Sequence, residues 1–141
     1  MIRYEQSPGK HLLTQFCQAY NQRNLPAALA LFHPEATLWG SGLDEYRTGL
    51  KEIEMQLQRD WQQSEAGEIE IISFAPTKEA SLWAAVIARA KITIEGRVFV
   101  FENLRGTVCI EQTAGAWKIA HFHSSFPDMR NPENHSFPVQ A

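Results

Sequence analysis

His121 and His123, in the run WKIAHFHSSFP, stand two apart on a segment that alternates like a strand. Their rings would project to one side, with roughly 7 Å between the Cα atoms. An H-x-H pair can ligate zinc when a third donor joins, here Cys109 or a loop acid. No second ligand cluster is visible, so no metal is expected; the pair would instead hydrogen-bond to Thr107 and Asn103, or carry protons for a bound substrate. Asp44 and Glu45 lie in a turn-rich stretch, where a carboxylate serves either as an acid or base or as a solvated charge near a helix start. Arg89 and Glu102, each set among apolar residues, read either as the polar anchor of a ligand pocket or as a structural ion pair. Trp39, Tyr46, Trp61 and Phe122 offer apolar walls and ring faces for a ligand, or simply core. Cys17 and Cys109 lack paired spacing and read as small buried hydrophobes. With no Ser/His/Asp, phosphate-loop or dinucleotide pattern, the catalytic assignment stays open and no cofactor is expected.

These residues need elements to hold them. Ser7-Pro8 is a helix-start signature, and Leu12, Leu13, Phe16, Ala19 and Tyr20 recur at helical spacing, predicting a helix from about residue 8 to 23. Pro26 opens a short second helix that His33-Pro34 ends. Residues 36–39 read as a short strand, and GSGLDEYRTG as turn chemistry leading to a cap at Thr48. Leu50, Ile53, Leu57 and Trp61 mark a third helix over 48–63. From Glu68 the period changes to two, predicting strands near 68–75, 81–94, 97–111 and 116–126. Helices first and a long antiparallel meander afterwards define an α+β domain over 1–127. The tail, 128–141, is rich in proline and poor in apolar residues, and is expected to be poorly ordered.

Hairpin turns set the strand registers. A two-residue turn at Glu95-Gly96 puts Arg89 opposite Glu102; a three-residue turn at Thr113-Gly115 puts Arg105 opposite His123 and Thr107 opposite His121. One face of the sheet then carries Trp83, Ile87, Arg89, Val98, Val100, Glu102, Leu104, Val108 and Phe122. The other carries Phe99, Phe101, Arg105, Trp117, Ile119, His121 and His123. Both are too apolar for water, so one should meet the helices and the other a second copy of the chain, a homodimer. Whether the two histidines face a cavity or that interface is left open by the spacing.

The chain has 141 residues, with 13 basic and 16 acidic side chains giving a formal charge of −3. That length suits one domain with a core of its own. Without clustered Lys and Arg, no nucleic-acid partner is expected. No apolar run approaches the roughly 18 residues a membrane span needs, and the start lacks a signal-peptide core, so a cytoplasmic protein is expected.

WKIAHFHSSFP, with LRGTV before it and LWGSGLDEYRTG earlier, resembles the nuclear-transport-factor-2-like superfamily, in particular SnoaL-like domains and the association (hub) domain of calcium/calmodulin-dependent protein kinase II. The resemblance spans roughly residues 8–127. It implies a cone-shaped fold in which a curved sheet wraps a long helix around a deep cavity, assembly into dimers or rings, and a mouth rimmed by Asp44, Glu45 and Tyr46. Of the hub's cavity arginines, one falls on Arg89 and the others on Val108 and Ser124, while its tryptophan falls on Trp61. The implied function is binding of a small organic ligand, a carboxylate being one candidate, with Arg89 as the anchor. The alternatives are an isomerase, cyclase or dehydratase, and an assembly module. The residues ketosteroid isomerase uses fall on Phe16, Gly40 and Thr107 or Val108, so its acid and base chemistry is absent.

Overall fold

The structure is a computed structural model that describes residues 7–137; the ends of the chain, including the last four residues of the tail, lie outside them. The Ser7 hydroxyl accepts from the Lys10 N–H at 3.4 Å and Pro8 occupies the first turn, so α1 (Pro8–Gln22) begins where its signature lies. Arg23 closes it in the left-handed conformation at φ 56°. Asn24 caps α2 (Leu25–Leu29), its side-chain oxygen accepting from the Ala27 N–H at 3.1 Å.

The first strand, β1 (Phe32–Trp39), is longer than its apolar run suggests. Parallel pairing with the last strand extends it backwards, Phe32 lying opposite Ile119. The expected stop at His33-Pro34 is instead an irregularity inside the strand, where a proline without an N–H does least harm. After it come β2 (Tyr46–Thr48), α3 (Gly49–Gln62), β3 (Ala66–Phe74), β4 (Trp83–Ile94), β5 (Arg97–Thr113) and β6 (Ala116–Ser125). The curved six-stranded sheet has the order β2-β1-β6-β5-β4-β3, antiparallel except between β1 and β6. This is the α+β architecture expected. Beyond β6 the described part of the tail, through residue 137, forms only turns and bends.

Two bulges decide which side chains face inward. On β5, Ala90 pairs with Phe101 but Ala88 with Leu104, so Arg89 opposes both Glu102 and Asn103, the latter at φ 58°. On β6, Ile110 pairs with Ile119 but Cys109 with His121, which leaves Ala120 as the extra residue. The turn after β5 is also shorter than expected, two residues at Ala114 and Gly115 with both φ positive. Thr107 therefore lies opposite His123, and Arg105 opposite Ser125, correcting the expected register by two residues. One extra residue flips every later side chain to the other face. The expected faces are thus each a mixture of the real ones.

The inner face presents Ala84, Val86, Ala88, Ala90, Val108, Ile110, Ile119 and Phe122 to Leu12, Leu13 and Phe16 of α1 and to Ile53 and Leu57 of α3. Three alanines along β4 let α1 come close: a Cβ on Gly9 would stand 3.0 Å from that of Ala84. Further along the same strand, Ala88 and Ala90 leave the space under α1 unfilled.

Candidate active site: a cavity with a carboxylate on its wall

That space is a cavity of about 260 Å³ enclosed by α1, α3 and the inner face of the sheet. Leu13, Phe16, Leu57, Val86, Ala88, Ala90 and Phe122 make it predominantly apolar, and the exposed Ser41, Phe101 and Phe126 mark its opening. Tyr20 follows Phe16 by one helical turn and so reaches the same space from α1. Gln56 and Asp60, four apart on α3, reach it from the other side. The Tyr20 hydroxyl donates to Asp60 Oδ2 at 2.8 Å and Gln56 Nε2 donates to Asp60 Oδ1 at 2.8 Å. All three residues line the cavity.

The two helices are fixed where this cluster forms. Arg23, the residue that closes α1, donates to the carbonyls of Trp61 at 2.6 Å and Ser64 at 3.1 Å and to Ser64 Oγ at 2.8 Å. A guanidinium on the last carbonyls of α3 satisfies groups the helix cannot, and complements its dipole. Ser64 Oγ in turn donates to the Asp60 carbonyl at 2.9 Å. Burial, with the charge and hydrogen bond of Asp60, pushes the Tyr20 phenol far above its usual range, so it remains a donor at any physiological pH.

At the opening, Glu45 lines the cavity while Asp44 stands outside it. Arg59 joins them, donating to Asp44 at 2.8 and 3.3 Å and to Glu45 Oε2 at 3.2 Å. The hydrogen bond from Arg59 holds the Asp44 carboxyl below its usual range. Gly40 and Gly42 fold around the Glu45 side chain so closely that a Cβ on either would require it to move. Cys17 also lines the cavity, yet burial pushes its thiol up to about 12, where it is no nucleophile near neutral pH.

Several expected site residues lie elsewhere. Arg89 and Glu102 are on the outer face of the sheet, because Ala88 and Ala90 on either side of Arg89 point inward. Arg89 Nε donates to Glu102 at 2.9 and 3.0 Å and its Nη1 to Glu70 at 3.0 Å, a half-exposed ion triad rather than a cavity anchor. Trp39 and Tyr46 form an exposed edge-on pair on that face, and Trp39 also meets His121 and His123 edge-on, with centroids 5.5 and 5.2 Å away. Trp61 packs against Tyr20 beside the cavity without lining it. Phe122 and Glu45 do line it.

The expected dimer face divides in the same way. Ile119 is fully buried in the core, Trp117 packs against it, and Phe101 lines the cavity. Phe99 shares the inner side with Phe101, its ring under Arg97 at 5.1 Å. Arg105 contributes to the lining but pairs with outward-facing Ile87. His121 and His123 face outward. Among the described residues, no three His, Cys, Asp or Glu side chains converge as a metal site. Tyr20 is read from sequence only as part of the α1 stripe, and Gln56 and Asp60 are not singled out; their trace in the sequence is that Asp60 follows Gln56 at i+4 beside the apolar stripe of α3.

Two expected outcomes follow from the outer face. Arg89→Met should leave ligand affinity unchanged and lower the melting temperature slightly, because half-exposed ion pairs contribute little; a calorimetric loss of affinity would return Arg89 to the site. His121 shares a 2.7 Å hydrogen bond with Thr37, and burial and the charge of His123 lower its pKa against the raising effect of Thr37. With the folded value below the ordinary histidine value of 6.5, the unfolded chain binds the proton first. Its stabilising contribution is therefore complete above 6.5, falls as the pH drops from there to the folded value, and is constant below. Urea midpoints of the parent against His121→Asn across that range should show a slope only in the parent.

With this geometry in place, likeness to known proteins can be stated. Residues 10–129 match the SnoaL-like domain, and the chain belongs to that family. No curated protein sequence matches it. Its fold is shared by a ketosteroid isomerase-like protein of Erwinia carotovora atroseptica, at 20% identity and TM-score 0.67, covering 86% of this chain and 95% of that one. TerC co-crystallised with polyporic acid aligns at 14% identity and TM-score 0.69, covering 85% and 92%. An epoxide hydrolase of Mycobacterium tuberculosis, of the LEH-like type, aligns at 13% identity and TM-score 0.64, covering 82% and 80%. At such identities the likeness establishes the ketosteroid isomerase-like, nuclear-transport-factor-2-like fold. No described helix is long and apolar enough to cross a membrane.

Proposed function

We propose that this domain binds a small, largely apolar organic molecule in the cavity between α1, α3 and the sheet, its polar end directed at Asp60. The observation that carries the reading is the Tyr20–Asp60–Gln56 cluster: a carboxylate held by two neutral donors on the wall of an otherwise apolar space. Pockets of this kind bind by apolar area and orient by a few polar groups. The anchor moves from the arginine expected from sequence to an aspartate. TerC, which shares the fold, was co-crystallised with an organic molecule, polyporic acid. A thermal-shift screen of small aromatic and alicyclic compounds tests the reading, since a ligand that binds only the native state raises the melting temperature. Hits that lose affinity in Tyr20→Phe and Asp60→Asn support it; hits indifferent to both contradict it.

A second reading, a proton-transfer enzyme, is favoured by the presence of two carboxylates in one cavity in different settings. Glu45 is ion-paired with Arg59, whereas Asp60 has only neutral donors and no ion-pair partner. Incubating a cavity ligand in D2O and following C–H exchange by NMR distinguishes the readings. Exchange that Asp60→Asn abolishes supports catalysis; an unlabelled ligand supports binding alone.

The outer face supports a homodimer. Trp39, Trp83, Ile87, Val98 and Val100 are exposed on it, with Val98 and Val100 at 62% and 50%. These exposed apolar side chains, set around the Arg89–Glu102–Glu70 triad and Lys91, are what a second copy would bury. Sedimentation at micromolar concentration should give a dimer, and Val100→Lys a monomer with its fold intact. A monomeric parent would contradict the assignment. The compartment expected from sequence, the cytoplasm, stands as part of the same proposal.

A further inference from the structure

The Gln56 side chain is 4% exposed, lines the cavity, and has an Oε1 with no hydrogen-bond partner. Its orientation is not arbitrary, because the nitrogen must face the carboxylate of Asp60 that it donates to at 2.8 Å, which turns the carbonyl oxygen away. A buried acceptor left without a donor is costly unless a ligand or solvent supplies one. Asp60 presents a related imbalance. Its two partners, Tyr20 and Gln56, are uncharged, and it belongs to no ion pair among the described residues. The cations around it make no hydrogen bond to it: Arg59 pairs with Asp44 and Glu45, Arg23 donates to the Trp61 and Ser64 carbonyls, and Arg105 contributes to the lining from β5. The α3 wall therefore presents one carboxylate without an ion-pair partner and one unfilled acceptor, a helical turn apart, in the same lining as the aromatic rings of Phe16 and Phe122.

We propose that the cavity selects a small organic cation, a primary or secondary ammonium on an apolar body. One N–H would go to the Asp60 carboxylate and another to Gln56 Oε1, while the apolar body fills the space beside Ala88 and Ala90. A neutral alcohol supplies a single donor and leaves Asp60 without an ion-pair partner. A carboxylate meets Asp60 with like charge and offers no donor. An ammonium satisfies both groups and gains further from aromatic faces in a site largely shielded from water. This inference rests on the cavity-binding reading and sharpens it to a ligand class.

Calorimetric titration of the full chain with benzylamine, benzyl alcohol and benzoate compares three polar ends on one ring. Benzylamine should bind about tenfold or more tighter than benzyl alcohol, with benzoate weakest. Asp60→Asn should reduce benzylamine to the affinity of the alcohol, and Gln56→Met should lower it severalfold while leaving the alcohol within a factor of about two. If a variant does not fold, the ranking of the three probes on the parent still decides. Benzyl alcohol or benzoate binding as tightly as benzylamine would overturn the ammonium assignment and leave the cavity reading standing. No binding of benzylamine at millimolar concentration would also overturn it, the cavity reading then being judged by the wider screen and the cavity-filling variant described below.

Discussion

Phe16→Ala should remove about 3–5 kcal/mol of stability, more than the loss of any helix cap. Phe16 is 5% exposed on the inward stripe of α1, and its ring meets Phe122 edge-on at 4.9 Å, Phe32 edge-on at 5.8 Å and Tyr20 at 5.9 Å. It joins α1, β1 and β6 while forming one wall of the cavity. Truncation would leave a void continuous with the existing cavity, so the surroundings have little reason to collapse into it. Urea denaturation should show a lower midpoint with an unchanged slope. Leu43→Ala, at a fully exposed position of the turn beside the opening, is the matched control and should leave the midpoint where it was. A Phe16→Ala midpoint within error of the parent would mean that the core is not organised around this ring.

Asp60→Ala should have the second largest effect, and it should fall on both folding and binding. Removing the carboxylate strands the Tyr20 hydroxyl and Gln56 Nε2 without their acceptor, and each buried donor left unpaired costs about 1–3 kcal/mol. The adjoining cavity can admit solvent to one of them, so the total should stay near the lower end for two groups, about 2–3 kcal/mol. Tyr20→Phe removes a donor but leaves Asp60 with Gln56, so about 1 kcal/mol is expected. Because the two residues share one hydrogen bond, the double variant should cost less than the sum. That non-additivity, read by denaturation of the four proteins in a double-mutant cycle, distinguishes a coupled cluster from two unrelated neighbours. Strict additivity would contradict the hydrogen bond.

The fold was legible in the sequence wherever local chemistry controls the backbone. Ser7-Pro8 starts α1, the stripe of Leu50, Ile53 and Leu57 runs along α3, and Glu95-Gly96 turns the hairpin between β4 and β5 with φ of 52° and 76°. The sequence was silent on the two bulges. Alternation of apolar residues assumes an unbroken ladder, and both faces here are apolar enough that the pattern does not change when Asn103 or Ala120 shifts it. Asparagine is one of the few residues that readily adopt positive φ, which was the one clue at position 103.

The expected register groups Arg89 with Val108 and Phe122, which do face inward, and the hub resemblance sets it in the cavity; the extra residue at Asn103 leaves it outside. The inward aspartate was hidden for a different reason. Tyr20 and Asp60 lie 40 positions apart, and each alone looks like the polar edge of an amphipathic helix. Only the docking of α1 on α3, fixed by Arg23, makes them partners. Glu45 and Phe122 were recoverable because each sits in a segment, the GSGLDEY turn and the HFH strand, whose composition already marked it.

The central claim is that the cavity beside Ala88 receives a small organic ligand. Ala88 is 2% exposed, lines that space and faces α1, so Ala88→Phe would fill it from the sheet side without touching the outer face. Overpacking elsewhere costs about 1–3 kcal/mol, but here an empty volume is available to take the ring. The decisive measurement is calorimetric titration of parent and Ala88→Phe with the tightest compound from the screen, both proteins first shown to be folded by circular dichroism. The expected result is binding to the parent and none to the variant. Equal affinity in both would place the ligand somewhere else and contradict the account.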